Sequence, residues 1–143
     1  TVGEILVEIM ATKTGQKLSE PGKFVGPYPS GAPAIFIDQV ARMGGDCGII
    51  SRIGQDDFGE LNKKRLEDDG VDVSSILYTP DHTTGTAFVT YFEDGSRKFI
   101  YHFTHAAAGQ LAPEDINPEY FDDTRYLHLM GCLYLFIIFV LIF

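Results

Sequence analysis

Apolar positions run almost unbroken through Val2, Ile5, Leu6, Val7, Ile9 and Met10, and the β-branched residues among them predict a strand buried on both faces. Lys13 to Ser30 is rich in Gly, Pro, Lys and Ser and has no periodicity, so it reads as a long loop leading to the first helix. Gly31-Ala32-Pro33 opens a helical pattern in which Ile35, Phe36, Gln39, Val40 and Met43 keep apolar groups mainly on one side. Gly44-Gly45 stops it. Cys47 to Ile53 predicts a second apolar strand. After the turn Gly54-Gln55-Asp56-Asp57 comes a helix from Phe58 to about Asp69, with Gly70 as its C-cap. Strand, helix, strand, helix in that order predicts a parallel sheet with right-handed crossovers.

The middle of the chain changes character. Ser75 to Tyr78, Gly85 to Phe92 and Arg97 to Phe103 are β-branched and aromatic runs, the last two joined by a hairpin turn at Glu93-Asp94-Gly95-Ser96. They predict a small antiparallel sheet attached to the main one, placed as a lid over a ligand. Leu111 to Ile116 reads as a short helix start, and Arg125 to Met130 as a return to strand. Leu133 to Phe143 is apolar apart from the Tyr134 hydroxyl. A membrane-spanning helix needs roughly 20 such residues, so this run is expected to be a buried strand or helix that continues beyond the chain.

Composition narrows the function classes. A chain of 143 residues, 45% hydrophobic, accommodates one domain with a real core. Its 20 Asp and Glu against 11 Lys and Arg give a net charge of -9, which argues against nucleic-acid phosphates or anionic membrane surfaces as partners. Cys47 and Cys132 form neither a disulfide framework nor a CxxC pair, and Thr1 to Met10 has no basic stretch of a secretory signal, so the cytoplasm is the expected compartment. His102 and His105 stand three apart on a predicted strand and imply no metal site. Asp56-Asp57 reads as a turn and a helix N-cap. No GxxxxGK[ST] phosphate loop is present.

Three segments then occur in a telling order. They are Gly3-Glu4-Ile5-Leu6-Val7-Glu8; Ser30-Gly31-Ala32-Pro33-Ala34 with Val40-Ala41-Arg42-Met43-Gly44-Gly45 and Ile53-Gly54-Gln55-Asp56-Asp57-Phe58-Gly59; and Thr84-Gly85-Thr86-Ala87 with Asp94-Gly95-Ser96-Arg97. Together they resemble the N-terminal portion of a ribokinase-like (PfkB-family) carbohydrate kinase, from about Thr1 to Gly131. The resemblance implies an α/β, ribokinase-like three-layer fold with a small antiparallel β lid, of which residues 1–143 are the sugar-binding half. The lid strands would be about 75–78, 85–92 and 97–103. The implied activity of the whole protein is transfer of the ATP γ-phosphoryl group, with Mg²⁺, to a hydroxyl of a small sugar or sugar acid. The catalytic Asp and the nucleotide site of such kinases fall in a C-terminal half with no match here, so this portion alone is expected to bind no cofactor or metal and to be inactive. A homodimer through the lid sheet is the expected assembly. A non-catalytic sugar-binding or regulatory module and a structural dimerisation fragment are the alternative readings.

The substrate-binding set implied is Glu8, Gly31, Ala32, Phe88 and Tyr101. A carboxylate such as Glu8 can accept hydrogen bonds from two vicinal hydroxyls, although it could equally cap a neighbouring helix. Gly31 lets a ligand approach its backbone, or simply makes the turn before a helix with Pro33 in its first turn. Phe88, Tyr101 and His102 could cover the apolar side of a sugar ring or serve lid packing, and strand alternation prevents Tyr101 and His102 from both facing inward. Ser30 and Ile35 stand where the family commonly has Gly and Asn, and Glu8 where it has Asp.

Overall fold

The N-terminal segment serves two sheets at once. In the computed structural model, which describes residues 1–130, Val2 forms parallel bridges to Ile50 and Leu129, and Gly3 N–H donates to the Ile50 carbonyl at 3.1 Å. The same segment continues as β1 (Leu6–Ala11), now within a different, four-stranded sheet. Burial follows the change: Val2, Ile5, Leu6 and Val7 are buried, whereas Glu8 to Met10 are half-buried.

Next in the chain come β2 (Phe24–Ser30), α1 (Ala32–Arg42), β3 (Ser51–Gly54), α2 (Asp57–Asp68), β4 (Ile76–Thr79), β5 (Gly85–Tyr91) and β6 (Arg97–His102), followed by three short 3₁₀ turns between Ala107 and Phe121. The four-stranded sheet has the order β2-β1-β5-β6, with β1 and β5 parallel and both outer pairs antiparallel. β3 and β4 pair in parallel across α2, as the βαβ pattern requires.

Four expectations change. Phe24–Ser30 is a strand, not loop: it is an edge strand with most of its residues exposed, and its Gly and two prolines suit an edge with a bulge rather than a sheet interior. The strand near Ser75 to Tyr78 is no part of the antiparallel sheet, because β4 pairs in parallel with β3 in a separate two-stranded sheet. Between Arg125 and Met130 the structure shows only the isolated bridge at Leu129. Finally, α1 buries Pro33, Ala34 and Ile37, while Ile35, Phe36 and Met43 are exposed. That helix carries apolar residues nearly all round, so periodicity alone could not select its packed side. Leu133–Phe143 and Cys132 lie outside the described residues.

The main core gathers Ile5, Ala34, Ile37, Ile49, Ile53, Leu66, Val71 and Ile76, which joins both helices to the strands. Arg52 on β3 crosses to Asp115, with Nε to Oδ2 at 2.6 Å and Nη2 to Oδ1 at 2.5 Å, and so pins the second 3₁₀ turn to the sheet. Among the described residues, no helix is long and apolar enough to cross a membrane.

Candidate functional site

Register decides which side chains of the four-stranded sheet share a face. Glu8 pairs with Tyr28 on one side and with Ala87 on the other, and Ala87 pairs with Tyr101. Because paired residues project to the same face, Tyr28, Glu8, Ala87 and Tyr101 form one row across all four strands. Three strand spacings of about 4.8 Å separate the two tyrosine backbones by about 14 Å. Tyr28 and Tyr101 are well exposed, Glu8 is half-buried and Ala87 is buried. The row is therefore a trough with an aromatic wall at each end, a carboxylate between them and a methyl-sized residue in its floor.

Glu8 sits in the middle of β1, in the four-stranded sheet. Its Oε2 accepts a long hydrogen bond of 3.5 Å from the Ser30 hydroxyl. Ser30 ends β2 and delivers Gly31 to the head of α1, where the backbone turns at φ 105° and ψ 122°. Gly31 is buried and Ala32 exposed. A Cβ at Gly31 would run into the Glu4 carbonyl, so the close approach between this turn and the N-terminal strand requires glycine.

Phe88 parts company with the rest of the set. It pairs with Ile100 and makes edge contacts with Phe24 and His102, all on the face opposite Glu8. Tyr101 stacks on Phe99 at 5.1 Å and meets Phe103 edge-on, on the same face as Glu8. The structure thus brings Glu8, Gly31 and Tyr101 to one side and sends Phe88 to the other.

Tyr28 was missed because Gly and Pro surround it and no periodicity marks its strand; only pairing with Glu8 reveals it. Beside it lies a hollow of about 200 Å³ lined by Tyr28, Ser30, Ile35, Asp38, Asn62 and Arg65, among others. Burial, together with a hydrogen bond that the Asp38 carboxyl donates to Asp69, raises Asp38 above its ordinary range although Arg65 opposes this. A larger hollow of about 910 Å³ between α1 and the stretch from Tyr120 to His128 includes none of the predicted site residues.

One further carboxylate links the site to the core. Asp56 Oδ1 accepts from Gly59 N–H at 2.9 Å and caps α2, while Oδ2 accepts from Thr84 N–H at 2.7 Å. Burial pushes this carboxyl up, but the amides of Thr84 and Gly59 outweigh it and hold Asp56 below its ordinary value. Among the described residues, no group of three or more His, Cys, Asp or Glu could hold a metal ion.

The pattern of the pfkB family carbohydrate kinases matches residues 1–139. Fructokinase-1 of Oryza sativa subsp. japonica is 33% identical over 126 residues, which cover 88% of this chain and 39% of that protein. A provisionally assigned ribokinase II from E. coli superposes with a TM-score of 0.82 at 53% identity over 85% of this chain and 39% of its own, and was also solved in complex with ATP and Mg²⁺. Fructokinase from Xylella fastidiosa superposes with a TM-score of 0.73 at 30% identity over 85% of this chain and 37% of its own. The fold is therefore the ribokinase-like one. The chain spans little more than a third, 36% to 39%, of the first curated relatives it matches.

Proposed function

Because the chain belongs to the pfkB family of carbohydrate kinases, we propose that it supplies the sugar-binding face of an enzyme that phosphorylates a small sugar with ATP. The observation that carries this reading is the row Tyr28, Glu8, Ala87 and Tyr101 in one register, beside the Gly31 turn. A carboxylate flanked by aromatic rings suits a polyol: Glu8 accepts from two hydroxyls while a ring face covers the C–H side of the sugar. The fructokinase relatives favour a ketohexose, and fructose is the first sugar to test.

ATP and Mg²⁺ belong to the whole-enzyme reading, supported by the E. coli relative solved with both. When bound, they supply the phosphoryl group and neutralise its charge. The described residues here assemble no metal cluster, and their part is to bind the sugar, orient it and exclude water from it. A cytoplasmic location fits this reading. A second copy of the chain is the occupant proposed for the opposite face of the sheet, where Phe24, Phe88 and Ile100 present a half-exposed apolar surface that two copies could share. Sedimentation of the chain at rising concentration tests that dimer.

Titrating the ¹⁵N-labelled chain with fructose, glucose and a sugar acid tests the site. The expected result is saturable shifts confined to amides around Glu8, Ser30–Ala32 and Tyr101 with one of these sugars. Shifts centred instead on Phe88 and Phe24, or none up to high millimolar concentrations of every sugar, would overturn the assignment.

A further inference from the structure

Asp56 occupies a position that a helix cap alone does not explain. A cap needs one oxygen, and Oδ1 fulfils it through Gly59 N–H. Oδ2 is spent on Thr84, 28 positions away and immediately before β5. Thr84 is buried, and its hydroxyl accepts from Gly54 N–H at 3.0 Å, so two hydrogen bonds fasten this one residue to the turn between β3 and α2. The far end of the same hairpin is tied close by: Ala107 N–H, just beyond β6, donates to the Thr83 carbonyl at 2.9 Å. Space is tight as well, since a Cβ at Gly54 would collide with the Asp56 carboxylate and the Thr84 amide, and one at Gly59 would strike the Gly54 carbonyl.

We infer that Asp56 is a positioning residue: one carboxylate oxygen caps α2, and the other holds the root of the β5–β6 hairpin, thereby setting where Ala87 and Tyr101 stand relative to Glu8. The hairpin carries half of the four-residue row, while the other half rides on β1 and β2. Its only covalent routes to the core are its two ends. A hydrogen bond to an ionised carboxylate is among the stronger links available at such a root. The effect on sugar affinity rests on the reading of the Glu8 face as a sugar site; the effect on the hairpin does not.

Asp56→Ser separates the two roles. Serine caps a helix about as well as aspartate, yet its single oxygen cannot also reach Thr84. Thr84→Val provides a second route, cutting the bond from Gly54 while leaving the cap untouched. In amide hydrogen exchange of the full chain, each variant is expected to accelerate exchange in Gly85–Tyr91 and Arg97–His102 about tenfold, with less than about a twofold change in α2. Equal acceleration in α2 and the hairpin of Asp56→Ser, or no acceleration in its hairpin, would overturn the inference. In a parallel fructose titration, Asp56→Ser is expected to weaken affinity about tenfold, and an unchanged Kd would refute the positioning role. Absence of fructose binding by the unsubstituted chain would count against the sugar-site reading, while the exchange measurement would still decide whether Oδ2 holds the hairpin.

Discussion

Replacing Gly31 with alanine combines two penalties that the structure allows to be separated. The first is conformational: φ 105° with ψ 122° lies where an L-residue rarely goes, at a cost of about 1–3 kcal/mol. The second is steric, because the new methyl would overlap the Glu4 carbonyl and crowd the Ile5 Cα, both of them backbone atoms that cannot rotate aside. Relieving the overlap means moving α1 off the buried N-terminal strand, where Ile5 is fully buried and packs in the same cluster as Ala34 and Ile37. Such overpacking adds about 1–3 kcal/mol. Gly15 is the control. Its φ is 76° but nothing lies within 4 Å of its missing Cβ, so Gly15→Ala incurs the conformational cost alone, about 1 kcal/mol. Gly31→Ala should therefore cost about 2–6 kcal/mol in all, against about 1 kcal/mol for Gly15→Ala. Urea unfolding followed by far-UV circular dichroism measures both variants, the chain having no tryptophan to report by fluorescence. If Gly31→Ala were no more destabilising than Gly15→Ala, the contact between this turn and the N-terminal strand would not be what demands glycine.

Other consequences are equally direct. Glu8→Gln keeps size and one acceptor but loses the charge; sugar affinity should fall about 10-fold or more by titration, with thermal stability within about 0.5 kcal/mol, since the side-chain hydrogen bond that Glu8 accepts from Ser30 is long, at 3.5 Å. Tyr101→Ala should weaken sugar binding, whereas Phe88→Ala should leave it intact while costing about 1 kcal/mol of stability from lost contacts with Phe24 and His102; the reverse pattern would mean that the assignment of faces is wrong. Asp115→Asn breaks the paired contact with Arg52, whose side chain is 23% exposed against 4% for Asp115; partial hydration of the arginine limits the expected loss to about 2 kcal/mol. Hydrogen bonds from Arg52 hold the Asp115 carboxyl below its ordinary value. Its stabilisation is therefore complete above the ordinary carboxylate pKa of about 4 and lost as pH falls through the lower folded value. The gap between Asp115→Asn and the unsubstituted chain should be constant from pH 6 to 8 and close in strong acid, as unfolding curves across pH would show.

Much of the architecture is legible in local chemistry. The start of α1 at Gly31-Ala32-Pro33 and its end at Gly44-Gly45 follow from backbone preferences that act over a few residues. So do the Asp56 cap of α2 and the hairpin turn at Glu93-Asp94-Gly95-Ser96, in which Asp94 Oδ1 accepts from Ser96 N–H at 2.9 Å. Where local signals were neutral or misleading, the reading failed. β2 is exposed, carries two prolines and gains its strand conformation only from the neighbouring β1.

The sequence by itself determined the family, both helices, the hairpin and the presence of an acid and an aromatic residue fit for a polyol, because these depend on residue types and short spacings. Only the tertiary structure decided which of them meet. A strand shows its neighbour one face or the other according to a register that shifts in single-residue steps, and each step reverses every side chain on it. That register joined Tyr28 and Tyr101 to Glu8 across four strands and sent Phe88 to the far face. It also placed β4 with β3 instead of in the lid, because pairing energy is spread over long-range hydrogen bonds that leave no mark on the residues between them.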